Sequence, residues 1–175
     1  MMSVEAEVKR LIVQVPAPPN EQAAAGTTGD AISAFERRTG LVVPASLAEW
    51  LRFANGACVG PGGLLGIRPQ RASLDIEGVL RSYPLWKENG WIPVASDGCG
   101  NYYVVNTRET DVVYFIDTAS NMHRLSYAVS SGHWRFLWFL LARELGNKGW
   151  PFSKEYVLSI DPEILKCTSA PLPWA

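Results

Sequence analysis

The segment WIPVASDGCGNYYVVN, residues 91 to 106, constrains this chain more than any other. Two runs of β-branched and aromatic residues, Trp91 to Ala95 and Tyr102 to Asn106, flank a short break made of Asp97, Gly98, Cys99, Gly100 and Asn101. Such side chains suit a pleated, half-buried surface. The break holds what a chain reversal needs: glycines that reach positive φ, and Asp and Asn side chains that bond nearby backbone. A third run, Val112 to Asp117, follows the turn NTRETD, and Met122 to Ala128 is a fourth candidate reached through TASN. Short runs separated by turn residues predict an antiparallel meander.

Helical periodicity surrounds this meander. Val4, Val8, Leu11 and Ile12 recur among Glu5, Glu7, Lys9 and Arg10, which predicts an amphipathic helix over 3–14, stopped by Pro16, Pro18 and Pro19. The stretch NEQAAAGTTG reads as an exposed loop. Asp30 is the expected N-cap of a second helix carrying Ile32 and Phe35, with Gly40 as its stop. Pro44 can open a third, with Leu47, Trp50, Leu51 and Ala54 on one side and Asn55-Gly56 at its end. Gly60 to Gly63 reads as a turn, Leu64 to Ile67 as a short strand, and Ile76 to Trp86 as a helical stretch broken by Pro84. Beyond the strands, Ser131 is the expected cap of HWRFLWFLLARELG. Its stripe of Trp134, Leu137, Trp138 and Leu141 would lie on the sheet, leave Arg135, Arg143 and Glu144 to solvent, and stop at Gly146. A short helix over Asp161 to Lys166 precedes a tail, 167–175, expected to be peripheral and poorly ordered. Helices, then strands, then a helix predict an α+β fold with a central, mostly antiparallel sheet of about four to six strands.

Length and composition agree. At 175 residues, 47% hydrophobic and 19% charged, the chain fits one domain. A chain of this size buries roughly 70% of its unfolded surface, enough for a core without disulfides or metals. The expectation is a single domain over 1–175, with a core over about 30–145 and a peripheral first helix. A formal net charge of −1 without a Lys/Arg run argues against nucleic acid. The longest apolar run, Phe136 to Ala142, is far short of the ~20 residues of a membrane span, and the first residues lack the pattern of a signal peptide. Cys58, Cys99 and Cys167 are few, odd in number and dispersed; they read as free thiols in a reducing compartment, which points to the cytoplasm.

The segments now stand in a recognisable order: AFERRTGLVVPASLAEWLRFANG, then GGLLGI, WIPVASDGCGNYYVVN, VVYFIDT and SGHWRFLWFLL. Over roughly residues 30 to 145 this order resembles the SUKH superfamily, named in part after fungal cell-wall-assembly and killer-toxin-resistance regulators. The DGCGN strand connection is the most specific piece. The resemblance implies an α+β fold and, in its bacterial branch, an immunity protein that binds and neutralises a toxin of nuclease or deaminase type, encoded nearby. In the fungal branch it implies a regulatory or scaffold role in cell-wall assembly. Fold membership does not name the partner.

The residues offer little chemistry of their own. Asp97 and Asn101 are expected to brace their own turn, and the loop could also border a partner surface. An enzyme built on Cys99 or the Asp97 region would need a base within hydrogen-bond reach, and His123 and His133 are the only histidines. The spacing of Asp97, Asn101, Asp111 and Asp117 does not match a calcium loop, and GPGGLLG lacks the Lys-Ser/Thr ending of a phosphate loop. The reading is therefore a protein-binding module with no catalytic set, no metal and no cofactor. Trp is enriched at binding hot spots, so Trp86 and Trp91, flanking KENG, join Asp97 and Asn101 as candidate partner-binding residues.

Overall fold

The computed structural model describes residues 3–16, 23–109, 111–146 and 153–174. Pro18 and Pro19, the first residues of NEQAAAGTTG, Thr110, Trp150 and Ala175 lie outside the described residues. Six strands pair in sequence order, each with its neighbour antiparallel: β1 (Ala57–Val59), β2 (Gly62–Leu64), β3 (Trp91–Ser96), β4 (Tyr102–Asn106), β5 (Val113–Ile116) and β6 (Tyr127–Ser130). The α+β class and the antiparallel sheet expected from the sequence are both present. At the Gly-rich end, β1 and β2 form a hairpin around Gly60 and Pro61, and β2 lies ahead of the expected Leu64 to Ile67 run. Gly62 and Gly63 have little intrinsic preference for a strand. Their worth here is steric: a Cβ on Gly63 would meet the Leu74 side chain, and one on Gly62 would meet the Ser96 carbonyl.

The helices follow from caps and apolar faces. In α1 (Val4–Ile12) the Ser3 hydroxyl accepts from the Ala6 N–H, and Val8, Leu11 and Ile12 are buried. This helix, expected at the periphery, sends its apolar stripe into the core. For α2 (Gly29–Thr39) the N-cap is Thr28, whose Oγ1 accepts from the Ala31 N–H; Asp30 sits in the first turn, where its charge suits the helix dipole. Gly40 ends the helix at φ 73°, as its position predicts. Leu47, Trp50 and Leu51 of α3 (Ala45–Phe53) are buried together with Ala54. Pro84 divides the next stretch into α4 (Ile76–Ser82), capped by Asp75, and α5 (Pro84–Asn89). The fourth strand begins later than expected, because Asp117 caps a single turn, α6 (Thr118–Asn121).

The aromatic helix α7 (His133–Glu144) is buried on more than the expected stripe. Phe136, Leu137, Phe139, Leu140 and Leu141 are in the core, while Trp134 and Trp138 are half-buried. The difference has a plain cause: α7 is covered by the sheet and also by α1, so two faces are apolar. Gly132 rather than Ser131 is its N-cap. Ser131 instead gives its backbone N–H and its hydroxyl to the buried Asp161, whose other neighbour is Arg135. Arg135, Arg143 and Glu144 are partly buried rather than free in solvent.

The C-terminal part is more structured than its sequence suggests. An additional helix, α8 (Lys154–Ile160), precedes a 3-10 turn over Pro162–Lys166 that buries Ile164. The tail then runs beside β6, where the Ala128 N–H donates to the Pro171 carbonyl at 2.9 Å. Leu172 and Trp174 pack against the core. Apolar burial fixes these residues despite their Pro-rich, loop-like composition, and a tail acceptor occupies part of an otherwise open sheet edge.

Candidate partner-binding surface

Strict neighbour-to-neighbour order has a geometric consequence. The β1–β2, β3–β4 and β5–β6 connections must all emerge at the same end of the sheet. That rim gathers Gly60 and Pro61, the loop Asp97 to Asn101, and the stretch from Asp117 to Ser126.

The middle loop is braced from within. Asp97 Oδ1 accepts from the backbone N–H groups of Cys99 (2.7 Å) and Asn101 (3.0 Å), and Oδ2 accepts from the Asn101 amide at 2.8 Å. Gly98 and Gly100 take positive φ, at 80° and 98°. At Gly98 a side chain would also collide with the Pro61 carbonyl, so this loop packs directly on the β1–β2 turn. On the other side, Asn101 Oδ1 accepts from the Thr118 N–H at 3.1 Å, and the Thr118 hydroxyl donates to the Gly100 carbonyl at 2.9 Å. Asp117 then caps α6 through Ala119 and Ser120, and its bonds to Ser120 hold the carboxyl below the usual range. The three connections thus form one hydrogen-bonded and packed rim.

Two open depressions flank the middle loop. One, of about 580 Å³, lies between the β1–β2 turn and the loop and includes Cys58, Ser73 and Gly98. The other, of about 600 Å³, is lined by Phe115, Asp117, Asn121, Arg124 and Tyr127. Phe115 and Tyr127 in its lining belong to a cross-strand aromatic row. Register places Tyr103 opposite Phe115 and Phe115 opposite Tyr127, and the ring centroids are 5.2 and 5.1 Å apart. Aromatic pairs directly opposite each other are favourable units of sheet stability. Phe115 and Tyr127 remain partly exposed. Burial pushes the Tyr103 hydroxyl up to about 12, with Arg143 opposing the shift in part.

The four candidate partner-binding residues take different places. Asp97 and Asn101 stand on the rim, half-buried, with their polar atoms engaged in the loop and with Thr118. Trp86 is fully buried and Trp91 is 8% exposed, so neither presents a surface ring. Trp86 is withdrawn because the Pro84-initiated α5 turns it under the sheet. There it stacks on Tyr83 at 4.3 Å and meets Tyr102 edge-on at 5.5 Å. Its indole N–H donates to the Met122 carbonyl at 2.7 Å, so it supports the rim from beneath. Sequence reading passed over Phe115, Tyr127 and Arg124. Once the strand register is set, alternation along β4, β5 and β6 puts these aromatics on one face, and that register was the missing signal.

The two histidines stand differently toward Cys99. Cys99 is exposed, whereas His133 is buried in the core, where desolvation lowers its pKa to about 3. Its imidazole is therefore not beside the exposed thiol. His123 lies in the exposed segment after α6. Among the described residues, no group of three or more His, Cys, Asp or Glu is placed to hold a metal ion. No helix among them is long and apolar enough to cross a membrane.

Sheet order, helical cover and a braced loop rim define an α+β meander domain. The sequence model of the SMI1 / KNR4 family (SUKH-1) matches residues 26–138, well over half of the chain, and the chain belongs to this family. No curated protein matches it. Members of this family are generally non-enzymatic immunity or regulatory proteins, and membership supports a protein-interaction or immunity-type module.

Proposed function

We propose that this chain is a bacterial immunity protein that binds a toxin of nuclease or deaminase type in the cytoplasm and neutralises it without catalysis. The observation that carries this reading is the rim: three connections locked to one another, flanked by a depression with partly exposed aromatic rings and an arginine. Binding surfaces draw their energy from such aromatic and Arg side chains, and a rim braced in advance loses little entropy when it is covered. In this reading Asp97 and Asn101 hold the loop in shape, while Cys99, Asn121, Phe115 and Tyr127 meet the partner. The depression holds both Asp117 and Arg124, so the interface relies on shape and ring contact rather than on one sign of charge.

The test is co-production with the toxin encoded beside this gene. The expected outcome is that the chain restores growth of cells expressing the toxin and that the two proteins elute together. If growth stays arrested and no complex forms, the immunity reading is wrong.

A further inference from the structure

A second surface carries a different chemistry and shares no residue with the rim. The end of α2, the length of α4 and the short α5 meet at a cleft of about 340 Å³ lined by Arg38, Glu77, Leu80, Arg81, Pro84 and Lys87, with Thr39 beside them. That volume is at the small end of binding pockets, which suits a short segment rather than a folded domain. The floor is apolar, from Leu80 and Pro84. Three cations face one carboxylate, on a chain whose formal net charge is −1.

The single carboxylate is already used. Glu77 accepts from Arg38 Nε at 2.8 Å, and its side chain is 19% exposed. Arg81 has only a long contact to Asp75, at 3.7 Å, and its side chain is 69% exposed. Asp75 itself is buried and takes the N–H groups of Arg68 and Gly78 at 3.0 and 2.9 Å, so it is committed to the chain. Lys87 is exposed and makes no ion pair among the described residues. Cations in the last turn of a helix are favoured by its dipole, which accounts for where each of them sits along its own helix. It does not account for three helices directing them into one cleft with an apolar floor.

We infer that this cleft binds an acidic, apolar-containing peptide segment of a protein partner, with carboxylates at Arg81 and Lys87 and an apolar side chain on Leu80 and Pro84. Charge complementarity selects the occupant. A nucleic acid fits less well, because none of the described residues lining the cleft is aromatic, so bases have no ring to stack on.

The probe is a synthetic peptide alternating Glu and Leu, titrated into the isotope-labelled full chain and followed by NMR amide shifts. Parallel titrations use the Lys–Leu counterpart and an oligouridylate. Shifts confined to residues around Leu80 and Lys87 are expected with the acidic peptide only. They should weaken at least tenfold in the double variant R81E/K87E, whose exposed side chains leave the fold intact by thermal unfolding, and they should weaken with added salt. Shifts scattered over the surface, equal shifts with the oligouridylate, or an unchanged affinity of R81E/K87E would each overturn the inference. Failure of the cleft would leave the rim reading untouched, because the two share no residue.

Discussion

Replacing Trp86 with Ala is expected to cost about 3–5 kcal/mol of stability, the largest effect of any single truncation near the rim. The side chain is fully buried, stacks on Tyr83 and meets Tyr102. Its removal leaves a cavity between α5 and the sheet. It also strands the Met122 carbonyl, which accepts the indole N–H. The loss therefore reaches the connection between β5 and β6. Trp86→Phe keeps an aromatic ring against Tyr83, deletes the donor and leaves a smaller cavity, so it should cost less than Trp86→Ala, about 1–3 kcal/mol. Chemical denaturation of the three proteins measures both values. A Trp86→Ala variant within 1 kcal/mol of the parent would contradict the placement of this ring.

Acid sensitivity is the second large effect. His133 is 1% exposed, and neither ring nitrogen has a hydrogen-bond partner among the described residues. Burial alone lowers its pKa to about 3, against an ordinary value of 6.5. The unfolded chain therefore binds a proton between those values while the folded chain does not. The sign follows: the neutral imidazole costs nothing extra above about pH 6.5, and stability falls as pH drops from there toward 3. Each unit of separation corresponds to about 1.4 kcal/mol, so the loss reaches on the order of 3 kcal/mol by pH 4.5. Asp117, half-buried, and Glu163, exposed, also have lowered carboxyl pKa values, but a lowered carboxylate acts below its ordinary range, at lower pH. In His133→Leu the drop between pH 6.5 and 4.5 should largely vanish, with no loss of melting temperature at pH 7.5, since an unpaired buried polar group is removed. Equal pH slopes for parent and variant would show that His133 is not the group responsible.

The sequence revealed the fold wherever a local rule and the tertiary environment agreed. Trp91 to Ala95, Tyr102 to Asn106 and the Val113–Ile116 centre of the third run are strands because their side chains fit both faces of a buried sheet. Gly40 and Gly146 end helices at positive φ, as their positions required. Reading failed where burial came from a distant segment. Nothing local marks Ala57–Val59 as a strand; it forms because β2 pairs with it. The loop-like tail is fixed by Leu172, Trp174 and a bond to β6. His133 sits at a helix start in the sequence and in the core in space, because α7 is covered on two sides.

The candidate site divides in the same way. Asp97 and Asn101 were legible because their hydrogen bonds are short-range, and the turn chemistry is written in five consecutive residues. The aromatic row was not, since Tyr103, Phe115 and Tyr127 meet only through strand register. Trp86 and Trp91 show the converse, since both are buried in the free chain. Their residue type suits an interface, but burial had already claimed them, and composition cannot separate a core ring from a surface one.

Hydrogen–deuterium exchange of the chain with and without the toxin proposed to be encoded beside it tests the central claim most directly. The account predicts added protection at residues 97 to 101 and 113 to 127, with smaller changes around Gly60 and Pro61. Protection confined to other elements, with these three connections exchanging as in the free chain, would contradict it.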